Sequence, residues 1–544
     1  MNRAVPLAGT SKSSGLLSLV MRARYVVLGV LVALMLVLGW RGRELMSQAR
    51  PDEFVYLELS RSLEQGSYRE IYLADAPLHA KYPPAYPAWL TVLRTVGGER
   101  EDLIRGANLV FLAGFALCLY GIVQAVAGVP VALATVGLVA INPTLLETGG
   151  SLLSEPLFLF LVGASLLFAV RARPDESRHA GWAVAFALAA FLTRTVGIAL
   201  LVAIGVWLWH RRRRGELMAF AVASAVIVGG WFGYTASVPP VIAADSYGSD
   251  LTRGLSASGQ TMLGRFLGSA RLNLVGYSTQ GLPWALAVPT FPGTVVDNVG
   301  WLAVMVTTLA AGVMVLWKTA RAVGTYLITA GLVVLFWRWR VDRLLVPLLP
   351  FIIAAMLIGM HRLTSRLSGT GRLAAQAALV VLLGFGAART ALARDARMTR
   401  CDRAAPYVVP GCYGREAPAL ADAVEYMKRH LPSDGVVLTI MPPEVHYFTG
   451  HRTARAGLIA HLADTNTAVA LRRRQISYLL FTEPTRRVRR QLVPPLLRSC
   501  ADLGLVTRFD AGGFLLSTHR GPGTEDPCPL LSELALQPAP DSLP

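Results

Sequence analysis

The side chains best suited to chemistry gather in a few short runs. Asp52 and Glu53 stand side by side in Arg50-Pro51-Asp52-Glu53, where a carboxylate can act as general base and take a proton from an alcohol or amine nucleophile. Neighbours on a helix cannot both face one point, so one would face a site while the other pairs or coordinates. The same spot suits a helix start, whose first-turn amides favour acidic residues. On spacing alone that capping role is the commoner one.

A second run, Phe336-Trp337-Arg338-Trp339-Arg340-Val341-Asp342-Arg343, sets arginines among tryptophans. Arginine presents a planar fork of donors matched to phosphate oxygens, so Arg338, Arg340 and Arg343 are candidates for a lipid phosphate. Snorkelling to ordinary headgroups is the alternative. A third run, Lys81-Tyr82-Pro83-Pro84-Ala85-Tyr86-Pro87, holds Lys81 and Tyr82 on an extended, proline-stiffened ledge. A fourth, Ser154-Glu155-Pro156, places Glu155 at the mouth of an apolar segment, where it also fits an N-terminal helix carboxylate. His446 and His451 lie five apart beside Glu444, which is not the spacing of a helical metal pair. They read as satisfied polar residues.

These runs must be positioned by a membrane scaffold. The chain has 544 residues, 53% hydrophobic and only 16% charged, whereas soluble domains carry about 25% charge. Long unbroken apolar runs exclude a β-barrel. The net charge of +18 sits largely in basic clusters flanking apolar segments, as orientation signals do, so no nucleic-acid partner is expected. The partner is the lipid bilayer.

The first apolar segment, Tyr25 to Trp40, follows Arg3, Lys12, Arg22 and Arg24. It reads as a retained anchor with a cytoplasmic N-terminus. Further spans are expected at Gly106–Ala127, Val131–Leu146 and Pro156–Val170. Gly181 to Trp209 would be about 43 Å long as one helix, too long for a single span. It is flanked by basic clusters and interrupted only by Thr193-Arg194-Thr195, so two short helices should meet at Arg194 near the outer face. Spans at Phe220–Ala236, Val299–Trp317, Ala322–Trp337, Leu344–Met360 and Leu373–Thr390 bring the count to about eleven.

The expected fold is therefore a polytopic α-helical membrane protein, residues 1–390, with outer loops at about 41–104 and 239–298. A small extracytoplasmic α/β domain, residues 391–544, should follow. In it Ala417–His430 reads as an amphipathic helix stopped by Pro432, and Val436–Ile440, Ile476–Phe481 and Phe514–Thr518 as strands. Four of the five cysteines fall there: Cys401, Cys412, Cys500 and Cys528. Two disulfides, most simply Cys401–Cys412 and Cys500–Cys528, fit an oxidising compartment. A four-thiolate zinc site is the rival, but no C-x-x-C pair is present.

Taken in order, these pieces resemble the GT-C superfamily of polyprenyl-phosphate-sugar-dependent glycosyltransferases, and most closely the bacterial branch of the protein O-mannosyltransferase family. The matching runs are Asp52-Glu53, Lys81 to Pro87, Ser154-Glu155-Pro156-Leu157-Phe158, Leu192-Thr193-Arg194-Thr195-Val196-Gly197, Arg343 to Pro350 and Tyr447 to Arg452. Tyr82 stands where many relatives carry a basic residue before the proline pair, and Leu344 where many carry tyrosine.

The resemblance implies a sugar donor on a polyprenyl phosphate, inverting transfer at the outer face of the cell (inner) membrane, and an envelope acceptor that is a lipid, glycan or protein. It implies Asp52 as the base, with Glu53 beside it. Arg343 and Lys81 become the leading donor-phosphate residues, Arg338, Arg340 and Arg194 further ones, and Tyr82 and Glu155 substrate contacts. No cofactor is certain; a divalent metal at Glu53 or Glu155 stays open. The competing class is a lipid transporter or flippase, which would want outer arginines but no Asp52 for turnover. A third is a structural partner in an envelope assembly.

Overall fold

The computed structural model describes residues 14–43, 50–173, 177–239, 261–288, 299–337, 340, 342–399, 417–462, 466–482, 488–510 and 512–536. In chain order its first helices are α1 Ser14–Arg41, α2 Pro51–Glu64, α3 Ala85–Gly97, α4 Glu101–Ala127, α5 Val129–Ala140, α6 Pro143–Gly149, α7 Glu155–Arg171 and α8 Ser177–Thr193. They continue as α9 Ile198–His210, α10 Arg214–Ser237, α11 Met262–Gly276, α12 Val299–Thr319, α13 Arg321–Phe336, α14 Leu349–Leu363 and α15 Gly369–Met398.

The chain forms two compact units. The first comprises Met1–Arg43, Ala80–Tyr86 and Arg100–Ala396. Among the described residues five helices are long and apolar enough to cross a membrane: α1, α4, α10, α12 and α15. A sixth is reached if α5 and α6 count as one broken span, and α9 and α13 are shorter apolar helices.

The stretch Val131–Leu146, expected as one span, is instead bent by 65°. Pro143 has no N–H to continue the ladder, and Asn142 caps the new start by accepting from the Leu145 amide at 3.1 Å. The break expected at Arg194 is present between α8 and α9, with a short 3-10 turn over Thr195–Gly197. The segment 239–298, expected as a polar loop, is helical over α11 and on through Ala285. Its apolar residues fall at helical spacing, which the Gly and Ser content masks. Leu344, expected to open a span, lies instead with Arg343 in a 3-10 turn ahead of α14.

Packing in this unit depends on small residues. A Cβ on Gly312 of α12 would lie 1.8 Å from the Ala355 carbonyl oxygen, and one on Gly359 of α14 would lie 1.9 Å from that of Thr308. The two backbones therefore touch where only glycine fits, which is how helices associate when burial alone gives no net drive. Phe351 of α14 packs edge-on against Phe115 of α4 and Tyr326 of α13.

The second unit comprises Glu44–His79, Pro87–Glu99 and Arg397–Pro544, so the first loop clusters with the C-terminal part. Its remaining elements are α16 Ala417–His430, β1 Val436–Thr439, α17 Pro442–Thr449, β2 Thr453–Arg455, α18 Thr467–Arg472, β3 Ile476–Phe481, α19 Val493–Arg498, β4 Gly504–Arg508, β5 Phe514–Ser517 and α20 Cys528–Leu536. The sheet order is β2-β1-β3-β5-β4, parallel across β2-β1-β3 and antiparallel beyond.

Side chains alternate between the two faces of a strand. Val437, Leu480 and Leu515 pack with Leu420, Ala423 and Met427 of α16, while Leu438, Leu479 and Leu516 pack on the opposite face with Leu471, Leu496 and Leu531. Beyond β2 the sheet is extended by residues from the first loop: Thr453 N–H donates to the Tyr72 carbonyl, and Ala74 N–H to that of Thr453, each at 2.9 Å. Cys500 and Cys528 are joined in a disulfide. Cys401 and Cys412 lie outside the described residues.

Candidate functional site

The first unit gathers three of the expected residues into one ionic cluster. Glu155 is fully buried as the first residue of α7, followed by Pro156. Arg194, at the break between α8 and α9, reaches its Oε1 with Nη1 at 2.6 Å and donates to Ser154 Oγ at 3.1 Å. Arg343, in the turn before α14, donates from Nε to Oε1 and from Nη2 to Oε2 at 3.0 Å. Two guanidiniums converge on one carboxylate, which holds their forks in fixed orientation.

Lys81 and Tyr82 lie in a bend just ahead of α3. Tyr82 is buried and the Lys81 ammonium lies 5.6 Å from the centre of its ring, within cation–π range. Arg340 is held by Gln280 Oε1 at 2.5 Å and by Asp342 at 3.4 Å. Arg338 lies outside the described residues.

The second unit holds the paired carboxylates at the start of α2. Pro51 occupies the first helical turn with Asp52 and Glu53. Glu53 is fully buried and its Oε1 accepts from the Arg50 amide at 3.2 Å, the reach-back of an N-terminal capping residue. Asp52 is half-buried. Phe54 packs edge-on to Tyr447 and Phe448 of α17.

Sequence reasoning missed the charged group that follows on α2. Glu58, fully buried, accepts from Arg61 Nη1 at 2.8 Å. Arg61 also reaches Glu99 at 2.7 Å and lies over the Tyr447 ring at 4.9 Å. His446 Nδ1 lies 3.0 Å from the His451 carbonyl. A carbonyl only accepts, so Nδ1 carries a proton and Nε2 is left facing Glu58 Oε2 at 3.5 Å. Burial pushes the Glu58 carboxyl above its ordinary value, against the opposing pull of His446 and Arg61. The signal was available: Glu58 sits amid Phe54-Val55-Tyr56-Leu57 and Leu59, a carboxylate on an apolar face.

A second buried group lies at the sheet edge. Glu70 pairs with His79 Nδ1 at 2.9 Å and with Arg455 of β2. Burial works against the Glu70 charge, but the His79 hydrogen bond and the charges of His79 and Arg455 outweigh it and hold the carboxyl below its ordinary value.

No described group of three or more His, Cys, Asp or Glu side chains could hold a metal ion. Glu155 does not fit a divalent cation, because two guanidiniums already neutralise it and would repel a second positive centre.

No protein-family model matches the chain, and no curated protein matches it. Solved structures do. The apo structure of ArnT from Cupriavidus metallidurans superposes with a TM-score of 0.56 at 17% identity, over 92% of this chain and 100% of that one. The same protein bound to undecaprenyl phosphate gives 0.51 and 18%, over 94% and 100%. The archaeal oligosaccharyltransferase AglB from Archaeoglobus fulgidus, in complex with an inhibitory peptide and a dolichol-phosphate, gives 0.55 and 10%, over 92% and 74%. The chain thus shares its overall fold with ArnT and AglB.

Proposed function

We propose that the chain is an integral-membrane glycosyltransferase of the cell inner membrane that moves a sugar from a polyprenyl-phosphate donor to an envelope lipid, glycan or protein. The observation that carries the reading is the Arg194–Glu155–Arg343 cluster. It joins three of the sequence runs in one largely buried site that fixes two guanidinium forks, in a chain whose fold is shared with a protein solved with undecaprenyl phosphate. The reading keeps about eleven spans, an N-terminus in the cytoplasm and the α/β domain outside.

In this scheme Asp52 takes the proton of the acceptor hydroxyl. The acceptor oxygen attacks the anomeric carbon on the side opposite the phosphate, so its configuration inverts. The bond from that carbon to the phosphate oxygen breaks, and the charge leaves on the lipid phosphate. Arg343, Lys81 and Arg194, with Arg338 and Arg340 as further contacts, stabilise that charge, and Tyr82 contacts the donor. A phosphate leaving group needs little acid help, so one carboxylate suffices, unlike in two-carboxylate glycosidases.

The test uses purified protein in detergent, a panel of radiolabelled polyprenyl-phosphate sugars and envelope extract. Label should leave the lipid with wild type and stay on it with Asp52→Asn, which keeps size and capping ability but not basicity. Full transfer by Asp52→Asn would remove the catalytic assignment. Donor bound by both proteins and consumed by neither, in an extract with a competent acceptor, would favour a lipid transporter instead.

A further inference from the structure

A second charged site lies in the first unit, among helix ends that the transfer scheme does not use. The C-terminal ends of α7, α9 and α12 and the N-terminal end of α13 enclose a cleft of about 200 Å³. Its wall includes Trp207, His210, Arg211, Lys318, Thr319 and Arg321, and among the described residues no acidic side chain lines it. The topology read from the basic clusters of the sequence puts all four helix ends on the cytoplasmic face.

Basic residues at helix C-termini often only complement the dipole or reach for headgroups. Arg211 partly fits that role, donating to the Ala172 carbonyl at 3.1 Å. Lys318, exposed in the last turn of α12, fits it as well, whereas Arg321 stands at a helix start. Among the described residues neither side chain has a hydrogen-bond or ion-pair partner, and Arg321 Nε is shut from solvent without an acceptor. A buried N–H left unpaired costs free energy that an acceptor would recover. Arg321 also opens α13, whose N-terminal end favours an anion, while the C-terminal ends of α7, α9 and α12 oppose one. Binding there therefore rests on the side-chain charges of Lys318, Arg321 and Arg211.

We infer that this cleft binds a phosphate-bearing anion, with Lys318 and Arg321 as its principal contacts and Arg211 and His210 at its rim. Two sources carry that chemistry: the headgroup of an anionic phospholipid and a soluble phosphate. The inference does not depend on the transferase reading.

The test compares full-length wild type with the Lys318→Gln/Arg321→Gln double variant and the Lys318→Gln single variant, with Arg366→Gln as a one-charge control on an exposed turn. One arm counts phosphatidylglycerol against phosphatidylcholine retained in native mass spectra. The other follows thermal unfolding against inorganic phosphate. A headgroup site predicts preferential phosphatidylglycerol retention that falls by about fivefold per charge removed and is unchanged in Arg366→Gln. A soluble-phosphate site predicts stabilisation of wild type by inorganic phosphate, lost in the double variant, with no lipid preference. Either result supports the site. Equal behaviour of wild type and double variant toward both probes, including no effect of either, overturns it. If the double variant does not elute as a single folded species, Lys318→Gln alone, at an exposed position, is read the same way.

Discussion

Arg343 grips Glu155 with two nitrogens, Nε on Oε1 and Nη2 at 3.0 Å from Oε2, across 188 residues of chain. With Arg194 on the same carboxylate at 2.6 Å, Glu155 acts as an anchor that fixes two guanidiniums. A fork held this way is preorganised, so less freedom is lost when it meets a phosphate.

Replacing that anchor should therefore damage stability first. Glu155→Gln removes the carboxylate that two largely buried guanidiniums share, a change expected to cost up to about 3–5 kcal/mol. Arg343→Lys keeps the charge and loses the bidentate geometry, so it should fold better than Glu155→Gln yet retain less polyprenyl-phosphate donor than wild type. Thermal unfolding in detergent and donor retention measured on the same preparations separate the two effects. Wild-type stability in Glu155→Gln would show that the cluster does not hold this part of the fold.

The two carboxylates at the start of α2 should separate in the same way. Glu53 closes the helix start through the Arg50 amide, so Glu53→Ala should cost about 0.5–2 kcal/mol in thermal stability, while Glu53→Gln can still accept that hydrogen bond and should keep transfer activity. Asp52→Asn should do the reverse, losing transfer without losing stability. An inactive but fully stable Glu53→Gln would move the catalytic role onto Glu53.

The parts of this fold that were legible in the sequence are those set by local pattern. The break at Arg194 followed from an apolar run too long for one span with a single polar interruption, and α16, β1, β3 and β5 from periodicity and turn residues. The rest depends on contacts between distant segments. β2 has only three residues and carries no alternation of its own; it is defined by pairing with β1 and by Tyr72 and Ala74. The bend at Asn142 was masked by continuous apolarity on both sides. Glu155 was visible as a helix-mouth carboxylate, but that Arg194 and Arg343 converge on it follows only from how α7, α9 and α14 pack.

Glu58 and Glu70, both in the second unit, should give that unit opposite responses to pH. The Glu70 carboxyl is held below its ordinary value of 4.5, so the stability it contributes is present above that value and lost as pH falls through the lower folded-state value. Glu58 is pushed above 4.5, by burial first. Its contribution is fully present below 4.5 and lost as pH rises through the higher folded-state value. Near neutral pH, Glu70→Gln should therefore unfold at a lower temperature than wild type and approach it in acid. Glu58→Gln removes a buried charge, and its amide can donate to the His446 Nε2 that now faces Glu58 Oε2 at 3.5 Å. It should match or exceed wild type near neutral pH and lose that advantage on acidification. A thermal-unfolding series from neutral pH to below the ordinary carboxylate range, run on all three full-length proteins, decides the matter. If the two variants depart from wild type in the same direction at neutral pH, the opposed assignments of Glu58 and Glu70 are wrong.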